Sequence, residues 1–135
     1  MTQRTLVLLK PDTVRRGLVG EVLSRFEAKG LTVVAMRLQQ IDGELADRHY
    51  AEHVERDFYP PLRAFVTSGP LVSLVLEGDE AIEVVRAING ATDGRKAAPG
   101  TIRGDLSLSN RENLVHGSDS PESAAREIGI WFPAL

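Results

Sequence analysis

The sequence predicts an α+β fold: a four-stranded antiparallel sheet covered on one face by helices, with extra helices and a long loop near residues 90–112. Three observations predict it. Four short apolar or β-branched runs have the length of strands rather than helices. The segments between them repeat apolar residues every three or four positions, as one face of a helix does. Gly, Pro and Asn punctuate the places where such elements stop.

The elements follow in order. Thr5 to Leu9 is continuously apolar between basic residues and suits a strand buried on both faces. After Gly17, the spacing of Leu18, Val19, Val22, Leu23 and Phe26 predicts a helix that Lys29-Gly30 closes. Leu31 to Leu38 reads as a second strand. Residues 42–57 are mostly charged and read as a surface helix plus loop, and Tyr59-Pro60-Pro61 breaks the chain before a short helix carrying Leu62, Phe65 and Val66. Gly69-Pro70 turns into a third strand, Leu71–Leu76. Asp79 is then placed to cap a helix with Ile82, Val85 and Ile88, which stops at Asn89-Gly90. No periodicity persists from Gly90 to Asn110, and long loops of that kind are usually functional or disordered. Leu114 to His116 makes a last short strand, and Ser120-Pro121 opens a final helix as cap and first residue. Stripped of its extra helices, the order is β-α-β-β-α-β, the ferredoxin-like arrangement, in one domain spanning residues 1–135.

Composition narrows the function. With 42% hydrophobic and 26% charged residues, the 135-residue chain has the make-up of a soluble globular protein. A net charge of -3 speaks against a general nucleic-acid binder. The chain has no cysteine, which excludes disulfides, thiolate metal sites and a Cys nucleophile. The apolar run from Leu6 stops at Lys10, too short for a signal peptide or a membrane span, so a cytoplasmic location is expected.

His116 has the most unusual setting of the three histidines. It ends a short strand just before a helix start, where unpaired N–H groups and the positive dipole end favour phosphate. An unprotonated imidazole is itself a nucleophile. A structural histidine at such a junction is the plainer alternative. His49 and His53 lie four apart on an expected helix and, with no third ligand nearby, read as a solvated surface pair rather than a zinc site. Lys10, Arg86 and Arg103 come from separate elements and could clamp a polyphosphate, although each alone is an ordinary surface charge. Gly90 to Lys96 only loosely resembles a Walker A loop: the spacing is wrong and Ala97 stands where Ser or Thr is needed.

Asn113-Leu114-Val115-His116-Gly117-Ser118-Asp119 resembles the active-site signature of nucleoside diphosphate kinases. The likeness extends over the chain, through Lys10-Pro11-Asp12, Arg16 to Glu21, His49-Tyr50, Ser68-Gly69-Pro70, Pro99 to Asp105 and Ile130-Trp131-Phe132. The resemblance implies that His116 takes the phosphate, with Lys10, Asn113, Ser118 and Glu127 as its catalytic company. It implies a nucleotide site of Lys10, Tyr50, Tyr59, Arg86, Thr92, Arg103 and Asn113, with Tyr59 where the family usually has the Phe against which the base packs. Glu127, through Ser118, is expected to orient the imidazole. Mg²⁺ is expected as the cofactor, carried mainly by nucleotide phosphates, with no protein metal site. Nucleoside triphosphates and diphosphates are the expected substrates, without nucleic acid or membrane. The family forms homo-oligomers, commonly hexamers and sometimes tetramers. Its fold is the ferredoxin-like one read above.

Three departures stand out: Thr13 and Leu106 replace a usual Gly and Phe, and Asp93-Gly94 stands where Asn-Pro or Asp-Pro is common. Loss of that Pro is expected to cost about 0.4–1 kcal/mol through the unfolded state. The rivals to a ping-pong phosphotransferase are a scaffold of the same shape without turnover, a phosphohistidine relay to proteins, and a DNA binder. The last has no DNA-reading motif behind it.

Overall fold

β1 (Thr2–Leu9) is the strand around which the molecule is built. It pairs along its whole length with β3 (Leu71–Asp79) and at its far end with β4 (Val115–Gly117). β2 (Thr32–Gln39) pairs with the other side of β3, with a register shift between Val33 and Ala35. The sheet order is β2-β3-β1-β4 and every pair is antiparallel. The computed structural model describes residues 1–135.

Because side chains alternate along a strand, β1 sends Val7 and Leu9 to one face and Leu6 and Leu8 to the other. All four are buried, so both faces need a cover. On the first, α2 (Val19–Lys29) and α5 (Ala81–Asn89) contribute Val22, Phe26, Ala81 and Val85. On the second, α3 (Gly43–His49), α4 (Tyr59–Val66) and α7 (Pro121–Trp131) contribute Ala46, Phe65, Val66 and Trp131. The expected single covered face is therefore corrected to two. The helices counted as extras close the second core. Truncating Phe26, fully buried in the first core, would cost about 3–5 kcal/mol.

The element ends show which local signals acted. Gly30 adopts φ 107° and stops α2 as expected, in a conformation that a side chain disfavours. The Ser120 hydroxyl accepts from Ser123 N at 3.1 Å and caps α7, with Pro121 at its first position. Asp79 does not cap α5. The ladder with Thr2 keeps it in β3, its carboxylate meets the Met1 amino group, and Glu80 turns the chain with φ 52°. Pro60 and Pro61 lie inside the first turn of α4, where a missing N–H costs nothing, rather than before it. The expected loop after Gly90 contains α6 (Ile102–Leu106), capped by the Thr101 hydroxyl, which accepts from Gly104 N at 2.9 Å. α1 (Pro11–Arg15) was equally too short to show a repeat in the sequence. No helix is long and apolar enough to cross a membrane.

Candidate active site

His116 sits on β4 opposite Leu8 of β1, and Lys10 follows directly on the end of β1. The strand pairing therefore delivers both side chains to one end of the sheet. Between them runs an unusual stretch of backbone. Leu114 is buried with φ 73°, a left-handed conformation that costs an ordinary side chain about 1–3 kcal/mol. The segment from Lys10 to Thr13 holds it there. Leu114 N donates to Asp12 Oδ2 at 3.0 Å, and Leu114 O accepts from Lys10 N at 2.8 Å and from Thr13 Oγ1 at 2.7 Å. Thr13, one of the departures from the family pattern, thus braces the strained turn that leads into β4.

A cavity of about 670 Å³ opens beside this turn. Lys10, Tyr50, Arg86, Thr92, Arg103, Asn113, His116 and Glu127 all line it, so the structure brings these expected residues together. Asn113 is the hub: its Oδ1 accepts from Lys10 Nζ at 2.9 Å, and its Nδ2 donates to Thr92 O and Asn110 O at 3.0 Å each. Arg103 is aimed by three carbonyls, those of Asn113 (3.2 Å), Gly90 (2.9 Å) and Val115 (2.6 Å). Arg86 donates to the carbonyl of Gly117 at 3.2 Å.

None of these three cations is hydrogen-bonded to a carboxylate, and for two of them the charge is costly. Burial, and then the charge of Arg103, push the Lys10 amine down to about 8 from its ordinary 10.5, against the pull of Asp12. Burial and the neighbouring Arg86 bring Arg103 down to about 10. The Tyr50 phenol is pushed up, chiefly by burial, and its hydroxyl has no partner in the protein.

His116 is anchored from the opposite side. Its Nε2 lies 2.8 Å from Glu127 Oε1, and Ser118 Oγ donates to that same oxygen at 2.8 Å. The support expected through Ser118 is therefore direct, with the serine steadying the carboxylate. Because a carboxylate only accepts, Nε2 carries the ring proton and Nδ1 keeps the lone pair.

Two expected placements are corrected. Tyr59 is buried, lies outside this cavity and donates its hydroxyl to Asp47 at 2.7 Å. Phe58, its neighbour, lines the cavity and is 49% exposed. Successive residues at a helix start point about 100° apart, so a one-residue error in alignment swaps a core ring for a cavity ring. His49 is not a solvated partner of His53 but is 3% exposed, packed against His116. His49, His116 and Glu127 bring ligand-type atoms within 4.8 Å of one another. They do not make a metal centre, because His49 Nδ1 accepts from Trp131 Nε1 at 2.9 Å and Glu127 Oε1 already takes two hydrogen bonds. Sequence spacing gave no signal for that contact, since Trp131 lies 82 positions from His49.

Cations held by carbonyls alone need an anion from outside, and a phosphate chain can satisfy all three at once. A ferredoxin-like sheet that brings a carboxylate-anchored histidine to such a pocket defines a phosphate-handling enzyme. The family model described as nucleoside diphosphate kinase matches residues 3–135. A nucleoside diphosphate kinase of Nocardioides sp. is 77% identical over 135 residues, covering 100% of both chains. One from Cutibacterium acnes is 63% identical over 133 residues, covering 98% of this chain and 96% of the other. Among solved structures, a halophilic nucleoside diphosphate kinase from Halobacterium salinarum in complex with CDP superposes with a TM-score of 0.95. It is 47% identical and covers 98% of this chain and 88% of its own. The chain belongs to the nucleoside diphosphate kinase family and is a phosphotransferase.

Proposed function

We propose that this enzyme, as a single domain over residues 1–135, moves the γ-phosphate of a nucleoside triphosphate to a nucleoside diphosphate through phosphorylated His116. The observation that carries the reading is the Glu127–His116 hydrogen bond, which ties up Nε2 and leaves Nδ1 as the nucleophile. Nδ1 attacks the γ-phosphorus in line, the N–P bond forms, and the P–O bond to the departing diphosphate breaks. A second diphosphate enters the same cavity and takes the phosphoryl group back. The covalent step stores the group while one nucleotide is exchanged for another. Positive charge developing on the ring is met by Glu127, and charge on the phosphoryl oxygens by Lys10, Arg86 and Arg103.

A nucleotide in this cavity agrees with the CDP complex of the Halobacterium relative. Phe58 offers the exposed ring on which a base can stack without being read, since every base has a π-face. Mg²⁺ suits the oxygen donors at hand, because it binds substrate phosphates with one or two carboxylates and keeps its waters. Asp119 lines the cavity, and a hydrogen bond from Ser123 holds its carboxyl below the ordinary range, which makes it the residue placed to contact a hydrated ion. When bound, the metal would neutralise part of the phosphate charge, with Asp119 the residue placed to hold it. We also infer self-association and a cytoplasmic role, where nucleotides are interconverted. Met36 and Leu38 are exposed on the edge strand β2, which supports assembly through that edge.

The test is incubation with γ-labelled ATP and Mg²⁺, followed by a GDP chase, with His116→Ala alongside. An acid-labile label on the wild type alone that moves to GTP is expected. Substantial transfer by His116→Ala would overturn the covalent route.

A further inference from the structure

His49 touches the reacting ring, yet the transfer described above assigns it no part. Its imidazole meets that of His116 edge to face, with centroids 4.6 Å apart and planes at 80°. Behind it, the Trp131 indole Nε1–H donates to His49 Nδ1 at 2.9 Å, and both side chains are buried. An indole nitrogen only donates, so Nδ1 of His49 must present a lone pair and the ring proton belongs on Nε2. Protonating His49 would place a second N–H against the indole N–H, break that bond and leave the indole donor stranded in the core.

The charged and titratable groups around His49 reinforce this. They are His116 on β4, Arg126 and Glu127 on α7, Lys10 at the end of β1, and Tyr50 and His53 after α3. Burial first, then His116, Arg126, Lys10 and His53, hold His49 well below the ordinary imidazole value.

We infer that the Trp131–His49 hydrogen bond is a tautomer lock that keeps an uncharged imidazole against His116, making His49 a positioning residue for the phosphorylation of that ring. The inference rests on the phospho-His116 reading. When Nδ1 of His116 forms its bond to phosphorus and the diphosphate leaves with the electrons of the broken P–O bond, the His116 ring gains positive charge. Glu127 is the anion that meets that charge. A second cationic ring 4.6 Å away would oppose it, whereas a neutral one fixes the plane of the nucleophile at no electrostatic cost.

The experiment compares single-turnover phosphoenzyme formation across pH for wild type, Trp131→Phe and the double variant Trp131→Phe/His49→Phe. Without the indole donor one of the restraints that keep His49 uncharged is gone while burial and the neighbouring charges remain, so the acid limb of Trp131→Phe should move to higher pH. Its rate should fall below wild type at the acid end of the profile, with the two converging as the pH rises. In the double variant no titrating ring remains, and the acid limb should return to the wild-type position. A Trp131→Phe profile lowered equally at every pH, or a displaced limb that survives in the double variant, would overturn the lock. ¹⁵N NMR of the wild-type histidines gives a readout independent of any variant's folding. His49 should stay in the Nε2–H form across this range, and an Nδ1–H form or a cation near pH 6 would overturn the inference. No label on the wild type at any pH would overturn the phospho-His116 reading itself, and the catalytic part of this inference with it.

Discussion

Replacing Lys10 with Met should stabilise the fold while disabling the enzyme, and the stability gain should depend on pH. Lys10 is 7% exposed, and burial beside Arg103 lowers its amine to about 8 from 10.5. The sign follows from proton binding. Between pH 8 and 10.5 the unfolded chain holds the proton more tightly than the folded one, so this group's cost is largest below pH 8 and fades as the pH rises. At pH 7 the displacement corresponds to about 3 kcal/mol, and at pH 9.5 to about 1 kcal/mol. Met matches the length of the stem but loses the hydrogen bond to Asn113 Oδ1, which returns about 1–3 kcal/mol as a fixed penalty. The net gain at pH 7 is therefore small, and the balance should fall by about 2 kcal/mol by pH 9.5, where the gain vanishes or becomes a loss. Urea unfolding of both proteins at the two pH values measures this, and nucleotide transfer assays measure the accompanying loss of activity. A stability difference that stays constant with pH would refute the argument that Lys10 is held charged against its surroundings.

Other outcomes follow from the same geometry. Arg103→Ala should lower transfer by about 10²–10³, as losing one preorganised donor does elsewhere, and a wild-type rate would reduce Arg103 to a surface charge. Phe58→Ala should raise KM for every nucleotide in proportion to about 1–3 kcal/mol of stacking, with little selectivity among bases. Tyr59→Phe should leave KM alone and cost about 1 kcal/mol of stability through the lost bond to Asp47, so a KM effect there would restore Tyr59 to the nucleotide site. Gly94→Pro, which the family pattern suggests should stabilise, should instead destabilise by more than about 1 kcal/mol in thermal unfolding. A Cβ at Gly94 would lie 2.4 Å from Ser107 O, and Gly94 N donates to Ser109 O at 3.2 Å, a bond that Pro cannot make.

Much of this was legible in the sequence because it is local. The strand of Thr5 to Leu9, the Gly30 stop and the Ser120-Pro121 helix start each depend on neighbours a few residues away, and the structure keeps all three. The histidine and its cations were legible as residue types in a motif. Their convergence was not, because it depends on the turn at Leu114, whose left-handed conformation is enforced by residues about a hundred positions earlier. Short helices such as α1 and α6 leave no repeat to detect. The second covered face and the burial of His49 were hidden for a related reason, since both depend on α7 folding back over β1.

The carbonyls that aim Arg86 and Arg103 have a consequence for traffic through the pocket. Had carboxylates held these side chains, each incoming nucleotide would have had to displace an internal counter-ion, and each outgoing one would have been pushed off as that pair re-formed. Carbonyl dipoles fix direction without cancelling charge, so no carboxylate of the protein is ion-paired to either guanidinium group and must be displaced. The competitors are dissolved anions instead. Inorganic phosphate, sulfate and high salt should therefore inhibit by occupying the same cations, and the ionic composition of the medium becomes a setting on how quickly one nucleotide replaces the next.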